Sequence, residues 1–594
     1  MATSEYDDSE KLDTLNANLA RIEALTQRLI AAFAKKQPQR ADLQGPDPSL
    51  YLKAATAYWT EMVQNPSKII EQQVEYWGKT LTHFAKAQEA LRESPLTAPE
   101  DETPEDRRFS NPLWKTHPYF NYIKQQYLLS SEAIEKGIEE LDALDPREKR
   151  RLEYFGKQII DLMAPTNFLG TNPDALMKAV ETEGESLVKG LENLVRDIEA
   201  NNGELLVTLS DRDAFKVGGN IGASEGAVVF RNRMFELIQY KPSTEQVHET
   251  PLLIFPPWIN KFYILDLKPQ NSLIKWIVDQ GYTLFVVSWV NPDARYADVG
   301  MDTYVQEGYL EAIAQVKALC DVKSINVIGY CIAGTTLSLT LSLLNKRKDK
   351  SIKSATFFTT LTDFSDQGEV GVFLEDDFVD GIEAEVHEKG YLHSYYMTKT
   401  FSYLRSNDLI YGPAIRSYML GEAPPAFDLL YWNGDGTNLP GRMVVEYLRW
   451  LCQQDRFCTT GYDLLGETVK IDGVKVPLCA VACETDHIAA WRSSLRGVAK
   501  MGSTNKTFIL SESGHIAGIV NPPSKKKYGH YTSDSPIEDP DSWRADAEYH
   551  EGSWWPRWEE WLRARAGKMI PARALPESVL APAPGTYVVA NPNA

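Results

Sequence analysis

Three side chains have the types, and the order along the chain, of a nucleophile, an acid and a base: Cys331, Asp486 and His515. A thiol attacks as the thiolate, so it needs a base to take its proton, and the base needs an acid to orient it. Cys331 lies in Gly329-Tyr330-Cys331-Ile332-Ala333-Gly334, after the apolar run Ile325 to Ile328 and before Leu337, Leu339, Leu341 and Leu344. That pattern predicts a buried strand, a sharp turn of small residues and a helix. In such a nucleophile elbow the apex residue is strained, and its side chain stands free at the top of a parallel sheet. Residues two before and two after the apex must be small because they nearly touch, and here they are Gly329 and Ala333. A cysteine alone would read as a core residue after a strand; strand, small flanks and helix together favour the elbow.

In an elbow-bearing α/β-hydrolase sheet the partners come later, in the order nucleophile, acid, histidine. Asp486 follows the apolar run Val476 to Cys483, and His515, in Ser511-Glu512-Ser513-Gly514-His515-Ile516-Ala517-Gly518, follows the run Thr507 to Leu510. Glu484 is a rival acid and His487 a rival base. Asp486 is preferred because Glu484 should still lie at the strand's end. His515 is preferred because its loop can reach over Cys331, whereas His487 is chain-adjacent to the acid it would have to pair with. The backbone N–H of Ile332 is the expected oxyanion donor, with a second from the loop after Leu252-Phe255, near Trp258 or Ile259. A thiolate exchanges readily with thioesters, since the attacking and leaving groups are alike in basicity. Cys in place of Ser therefore points from hydrolysis towards acyl transfer from a carrier of the CoA type. A transferase must also keep water out.

The elements that position these groups follow from hydrophobic periodicity. Leu12, Leu15, Leu19, Ile22, Leu25, Leu29 and Phe33 fall on one helical face. A second helix starts after Pro48 and breaks at Asn65-Pro66, a third carries Ile69 to Phe84, and Ser94 to Arg108 reads as a linker. Helices continue from Trp114 to Leu129 and from Pro146 to Met163. Residues 1–200 therefore read as a helical N-terminal domain, either a dimer or surface-docking module or a layer packed on the catalytic domain. From 201 to 594 a hairpin turns around Arg231-Asn232-Arg233, and strands then alternate with helices, including one expected over Tyr304 to Leu319, as a parallel sheet requires. The alternation stops at about 362–445, read as a cap insertion over the sheet. Thr507 to Leu510 is expected as the last apolar strand, a Trp-rich helix over Gly552 to Trp561 closes the domain, and the tail from Pro571 is expected to be extended. The fold class is thus α/β, an α/β-hydrolase domain with a cap, preceded by an all-helical domain.

A formal net charge of -20 on 594 residues argues against nucleic acid as the main partner. The six cysteines, at 320, 331, 452, 458, 479 and 483, show neither zinc-type pairing with histidine nor a secreted framework, so no metal is expected and a reduced, cytoplasmic compartment is the simple reading. The acidic start, Met1 to Asp8, has no apolar core and is no secretory signal, and no apolar run is long enough to cross a membrane. Lys525-Lys526-Lys527 is a candidate patch for CoA phosphates, although a solvated loop is the favoured reading.

Several longer stretches resemble those of one family, the polyhydroxyalkanoate synthases, in particular the class I type. The elbow Gly329 to Gly334 is similar to that family's variant of the lipase box. Family-like stretches also run from Pro257 to Leu267, Val287 to Asp293, Tyr431 to Pro440, Glu484 to Ile488, Gly514 to Gly518 and Gly552 to Trp561. The resemblance covers about 110–565; residues 1–105 match only in helical character. Ala333, where many members have Gly, is a departure small enough to leave the elbow intact. The resemblance implies that Cys331 is acylated by (R)-3-hydroxyacyl-CoA with release of CoA. It implies that His515 deprotonates Cys331 and, with Asp486, activates a 3-hydroxyl for ester formation. CoA is then substrate moiety and product, and no cofactor is implied. A short acyl chain such as 3-hydroxybutyryl, a homodimer through the cap region, residence on cytoplasmic polyester granules and phasin-type granule partners are implied as well. Two alternatives stay open: a Cys-dependent thioesterase or esterase on the same fold, and a non-catalytic granule-coating protein, suggested by the amphipathic Leu12-to-Phe33 helix.

Overall fold

Near-continuous apolar runs become strands covered on both faces, which is the pattern of a parallel sheet. The computed structural model describes residues 2–34, 48–64, 74–76, 78–82, 105–141, 144–201 and 203–590. The strands of the main sheet are β1 (Gly226–Arg231), β2 (Phe235–Tyr240), β3 (Leu252–Phe255), β4 (Leu284–Trp289), β5 (Ile325–Tyr330), β6 (Ile352–Phe358), β7 (Leu478–Cys483), β8 (Lys506–Ser511), β9 (His530–Thr532), β10 (Glu548–His550) and β11 (Ala581–Pro582). They lie in the order β10-β9-β8-β7-β6-β5-β3-β4-β2-β1-β11. The centre, β8 to β4, is parallel, and both margins are antiparallel. Every residue of β3, β4, β5 and β7 is buried. The helix after β5, Ile332–Lys346, is buried nearly all round, as a helix enclosed in a core must be. Some of its hydroxyls are satisfied within the helix, Ser338 donating to the Thr335 carbonyl at 2.6 Å and Thr340 to that of Thr336 at 2.9 Å, and others outside it, Thr335 donating to the Leu361 carbonyl at 2.6 Å and Ser342 to that of Lys470 at 2.7 Å.

Two expectations about this sheet need correction, and one helix beside it is found where expected with altered turns. The strand Lys506–Ser511 is not the last, because β9 and β10 extend that edge. The helix expected over Tyr304 to Leu319 runs from Met301 to Cys320 and widens into π-helical turns over Tyr304–Leu310. There a Cβ on Gly308 would lie 2.8 Å from the Trp289 ring, and the Tyr309 hydroxyl donates to the Ala333 carbonyl at 2.8 Å. The tail is not simply extended: it adds β11 beside β1. What draws it in is Glu236, fully buried on β2, whose carboxylate accepts from the Thr586 and Tyr587 amides at 2.8 and 2.9 Å and pairs with Arg231. A buried carboxylate is tolerated only when paired and hydrogen-bonded, and the tail supplies those bonds.

The chain divides into two compact units, Met1–Asp211 with Ser402–Pro425, and Arg212–Phe401 with Ala426–Ala594. In the helical unit, Ala2–Ala34 packs on Glu185–Ala200 through Leu25, Val188 and Val195. Arg21 pairs with Glu185 and Glu192, and Arg28 with Glu199. The stretch expected as one cap insertion, about 362–445, is split, because Ser402–Pro425 folds with the helical unit. Tyr418 donates to Asp197 at 2.8 Å, and the Asn193 amide to the Ser417 carbonyl at 3.0 Å. The break at Asn65-Pro66, half of the helix expected over 69–84 and most of the linker expected over 94–108 fall outside the described residues.

Candidate active site

Cys331 stands one residue beyond β5 with φ +54° and ψ −128°, a left-handed backbone that an L-residue holds only when its surroundings impose it. The surroundings do so at both ends of the turn. The Cys331 amide donates to the Phe358 carbonyl on β6 at 2.8 Å, and the Cys331 carbonyl accepts from the Gly334 amide at 2.9 Å. The close approach is not the expected one between Gly329 and Ala333. A Cβ on Gly329 would lie 2.6 Å from the Gly334 Cα, and one on Gly334 would lie 2.1 Å from the Thr360 hydroxyl. The helix starts at Ile332, so its first turn brings the third residue after Cys331, not the second, back over the strand.

The structure brings His515 and Asp486 together. His515 Nδ1 lies 2.7 Å from Asp486 Oδ2, and both side chains are buried. The other carboxylate oxygen, Asp486 Oδ1, accepts from the Ile488 and Ala489 amides, each at 2.8 Å. That turn around an aspartate locks the carboxylate's plane before the histidine arrives. Burial opposes charge on His515, yet the Asp486 carboxylate and hydrogen bonding with Asp486 and the Cys331 thiol outweigh it, raising the imidazole to about 10. His515 and Asp486 thus form a buried pair whose imidazole also feels the Cys331 sulfur. The rivals lie elsewhere: Glu484 pairs with Arg544 at 3.2 Å and donates its amide to the Ser511 carbonyl. His487 is half-buried beside Asp486, whose oxygens already serve the His515 ring and two amides.

Ile332 opens a helix of 15 residues. The first amides of a helix have no intrahelical acceptor, and they carry the positive end of its dipole. The Ile332 N–H therefore has the character an oxyanion donor needs. The loop after β3, home of Trp258 and Ile259, is held from several sides. Trp289 donates to the Pro256 carbonyl at 2.8 Å, the Thr437 amide to that of Ile259 at 3.2 Å, and the Trp432 indole to that of Lys261 at 2.7 Å. Asp435 receives the Tyr263 hydroxyl and pairs with Lys261, both at 2.7 Å. The Asn438 backbone amide donates to the Asn291 side chain at 3.0 Å, and the Asn438 side chain donates to the Pro292 carbonyl at 3.1 Å. Three stretches singled out in the sequence, Pro257 to Leu267, Val287 to Asp293 and Tyr431 to Pro440, are therefore one interlocked structure around this loop. Residue periodicity missed it because these contacts join the ends of separate elements and the loops beyond them; the signal was the density of Trp, Tyr, Asn and Asp in those stretches.

The setting is apolar. Trp258 lies against Tyr304 and edge-on to Tyr447, which is edge-on to Phe364. Lys525, Lys526 and Lys527 are exposed on the loop that follows His515. The described residues hold one group of three potential metal ligands, Asp363, Asp455 and Cys458, with ligand atoms within 4.8 Å of one another. Lys500, 2.6 Å from Asp363, already balances charge there. Among the described residues no helix is long and apolar enough to cross a membrane.

Known proteins share the fold and much of the sequence. Residues 105–277 match the family described as the N-terminus of poly-beta-hydroxybutyrate polymerase (PhaC), and residues 251–522 match the alpha/beta hydrolase fold. The chain is 41% identical over 541 residues to a poly(3-hydroxyalkanoate) polymerase of Methylorubrum extorquens, covering 89% of this chain and 87% of that one. It is 37% identical over 539 residues to the poly(3-hydroxyalkanoate) polymerase subunit PhaC of Rhizobium meliloti, covering 90% and 88%. To the PhaC subunit of Cupriavidus necator it is 39% identical over 498 residues, covering 82% and 83%.

Proposed function

This chain belongs to the poly(3-hydroxyalkanoate) polymerase family of the α/β-hydrolase fold, and from that premise we propose that it polymerises (R)-3-hydroxyacyl-CoA into polyester through a thioester on Cys331. The observation that carries the reading is the 2.7 Å pair of His515 and Asp486, buried in one set with a thiol at a strained elbow.

The reaction follows from these groups. His515, held above the ordinary imidazole range by its carboxylate, takes the Cys331 proton. The thiolate attacks the carbonyl of the acyl-CoA, and the tetrahedral oxyanion rests on the Ile332 amide and a donor from the loop of Trp258 and Ile259. As the C–S bond to CoA breaks, His515 returns the proton to the leaving thiolate. In the second half-reaction His515, with Asp486 behind it, takes the proton from the 3-hydroxyl of another acyl unit. That alkoxide attacks the Cys331 thioester, an ester forms, and the thiol is regenerated. Atoms and charge balance without an oxidant or a metal. The aromatic wall of Trp258, Tyr304, Phe364 and Tyr447 restricts water, which would otherwise end each cycle as a free acid.

Short acyl chains such as 3-hydroxybutyryl are the proposed substrates. A homodimer, attachment to cytoplasmic polyester granules and contact with phasin-type granule proteins belong to the same proposal. The test is thiol-trapped CoA release from 3-hydroxybutyryl-CoA with analysis of the product. Wild-type chain should release CoA and form insoluble polyester, and Cys331→Ala should do neither. Equal release by Cys331→Ala overturns the role of the thiol, and free hydroxy acid as the product makes the chain a thioesterase.

A further inference from the structure

The Trp-rich segment near the C-terminus has no part in the mechanism above, yet its indoles reach the site. Trp554, Trp555 and Trp558 are all fully buried on or beside the helix Trp555–Arg563. Trp554 donates its indole N–H to the Gly518 carbonyl at 2.7 Å, and Trp555 donates to the Ile519 carbonyl at 2.9 Å. Both carbonyls lie in the turn that carries His515. Trp558 points elsewhere, donating to the Thr356 hydroxyl on β6 at 3.0 Å.

The turn itself is tight. The Gly518 amide closes on the Gly514 carbonyl at 2.9 Å, and the Val520 amide on that of Ile516 at 2.8 Å. The Ser511 hydroxyl lies 3.0 Å from the Gly518 carbonyl and 3.1 Å from that of Glu512, sharing its one proton between them. A Cβ on Gly518 would lie 2.4 Å from Cys483 Sγ, so the turn is seated directly on β7. On its other side the Tyr330 hydroxyl, at the last residue before Cys331, donates to the His515 carbonyl at 3.3 Å. His515 therefore sits on a loop whose backbone is fixed at its own carbonyl by the elbow strand and, three and four residues on, by two indoles. Loops are ordinarily the mobile parts of a fold, and a general base must be held within a fraction of an ångström of the proton it takes.

We propose that Trp554 and Trp555 are positioning residues for catalysis, whose indole N–H groups fix the Gly518 and Ile519 carbonyls and thereby hold His515 against Cys331. The inference rests on the catalytic reading of Cys331, His515 and Asp486. It differs from a packing role because the ring alone fills space, whereas the N–H alone sets the loop's register. Phe keeps most of the ring and removes the donor.

The experiment compares Trp554→Phe, Trp555→Phe and Trp558→Phe in the full chain. It measures CoA release from 3-hydroxybutyryl-CoA and the pH dependence of Cys331 alkylation by iodoacetamide. Trp554→Phe and Trp555→Phe should lower kcat by about 10- to 100-fold, the scale of a small misplacement of a catalytic group, with KM little changed. Their alkylation profile should depart from that of wild type as the histidine loosens from the thiol. Trp558→Phe should lose comparable thermal stability while keeping the wild-type alkylation profile. Ser511→Ala, a small change that removes the other donor to Gly518, should move kcat and the profile in the same direction by less, and it serves where a tryptophan variant does not fold. Wild-type kcat and profile in Trp554→Phe and Trp555→Phe overturn the proposal, as does an equal shift in Trp558→Phe. If Cys331→Ala is inactive while the tryptophan variants match wild type, only this inference falls. If Cys331→Ala releases CoA, the catalytic reading beneath it falls.

Discussion

Cys331 and Cys483 are delivered to the same edge of the sheet by two parallel strands with one strand between them, and they have become different chemical objects. Cys483 is the last residue of β7, fully buried and still paired in the ladder opposite Ser511. Burial, with the Asp486 charge adding to it, pushes its thiol well above the ordinary range. Cys331 is one residue past its ladder, in a left-handed turn, half-buried and at the mouth of a helix. The residue type is the same, and so is the sheet edge. The difference is made by one strained dihedral pair, which takes the side chain out of the core and turns it towards a helix N-terminus. Cys483 keeps a structural task, as the surface on which Gly518 rests.

The sharpest way to break this contrast is to disable the base proposed for Cys331. Asp486→Asn removes the charge that holds His515 and reverses the hydrogen-bonding sense at Nδ1. CoA release should fall by about 10³- to 10⁴-fold, the scale known when the acid of such a triad becomes an amide. Single-turnover kinetics measure it; a loss below tenfold would mean that the elbow alone activates the thiol. A smaller effect comes from the other cysteine. Gly518→Ala forces a methyl against Cys483 Sγ and should cost about 1–3 kcal/mol of stability, typical of overpacking, in denaturant unfolding. Adding Cys483→Ala should recover part of that loss, since the two residues touch and their effects cannot be additive. Full additivity would show that the His515 turn does not rest on β7.

The smallest effect is in pH. The folded-state imidazole of His515 lies above its unfolded value, at about 10, because the Asp486 and Cys331 interactions outweigh burial. Protonation therefore favours the folded state. The stability of wild type over His515→Gln should be complete below pH ~6.5 and should shrink as pH rises through about 10. Urea midpoints at several pH values test this, and a difference that grows with pH would reverse that sign.

Much of the site was legible because its parts end regular elements. Strand, small residues and helix mark Cys331; Asp486 and His515 each follow a strand of the expected kind. What could not be read is register between distant segments. Gly334, not Ala333, meets Gly329, because that depends on where the helix begins. Ser402–Pro425 joins the helical unit through Tyr418 and Asn193, contacts that span more than two hundred residues and leave no periodic mark. The widened turns at Tyr304–Leu310 keep a helical pattern of apolar residues, so hydrophobic spacing reads them as ordinary helix. The strand Ala581–Pro582 is too short to show alternation, and its proline argues against any strand in a local reading.

That same short strand decides how the sheet ends. An open edge is a row of unpaired N–H and C=O groups, on which another chain can grow a strand. Here β1 does not end the sheet, because Leu580 and Ala583 donate their amides to the Val228 and Gly226 carbonyls. The last residue of the strand is Pro582, which has no N–H to offer outward. The chain thus terminates its own ladder with a residue that cannot template a further one, a safeguard against edge-to-edge polymerisation of the protein itself.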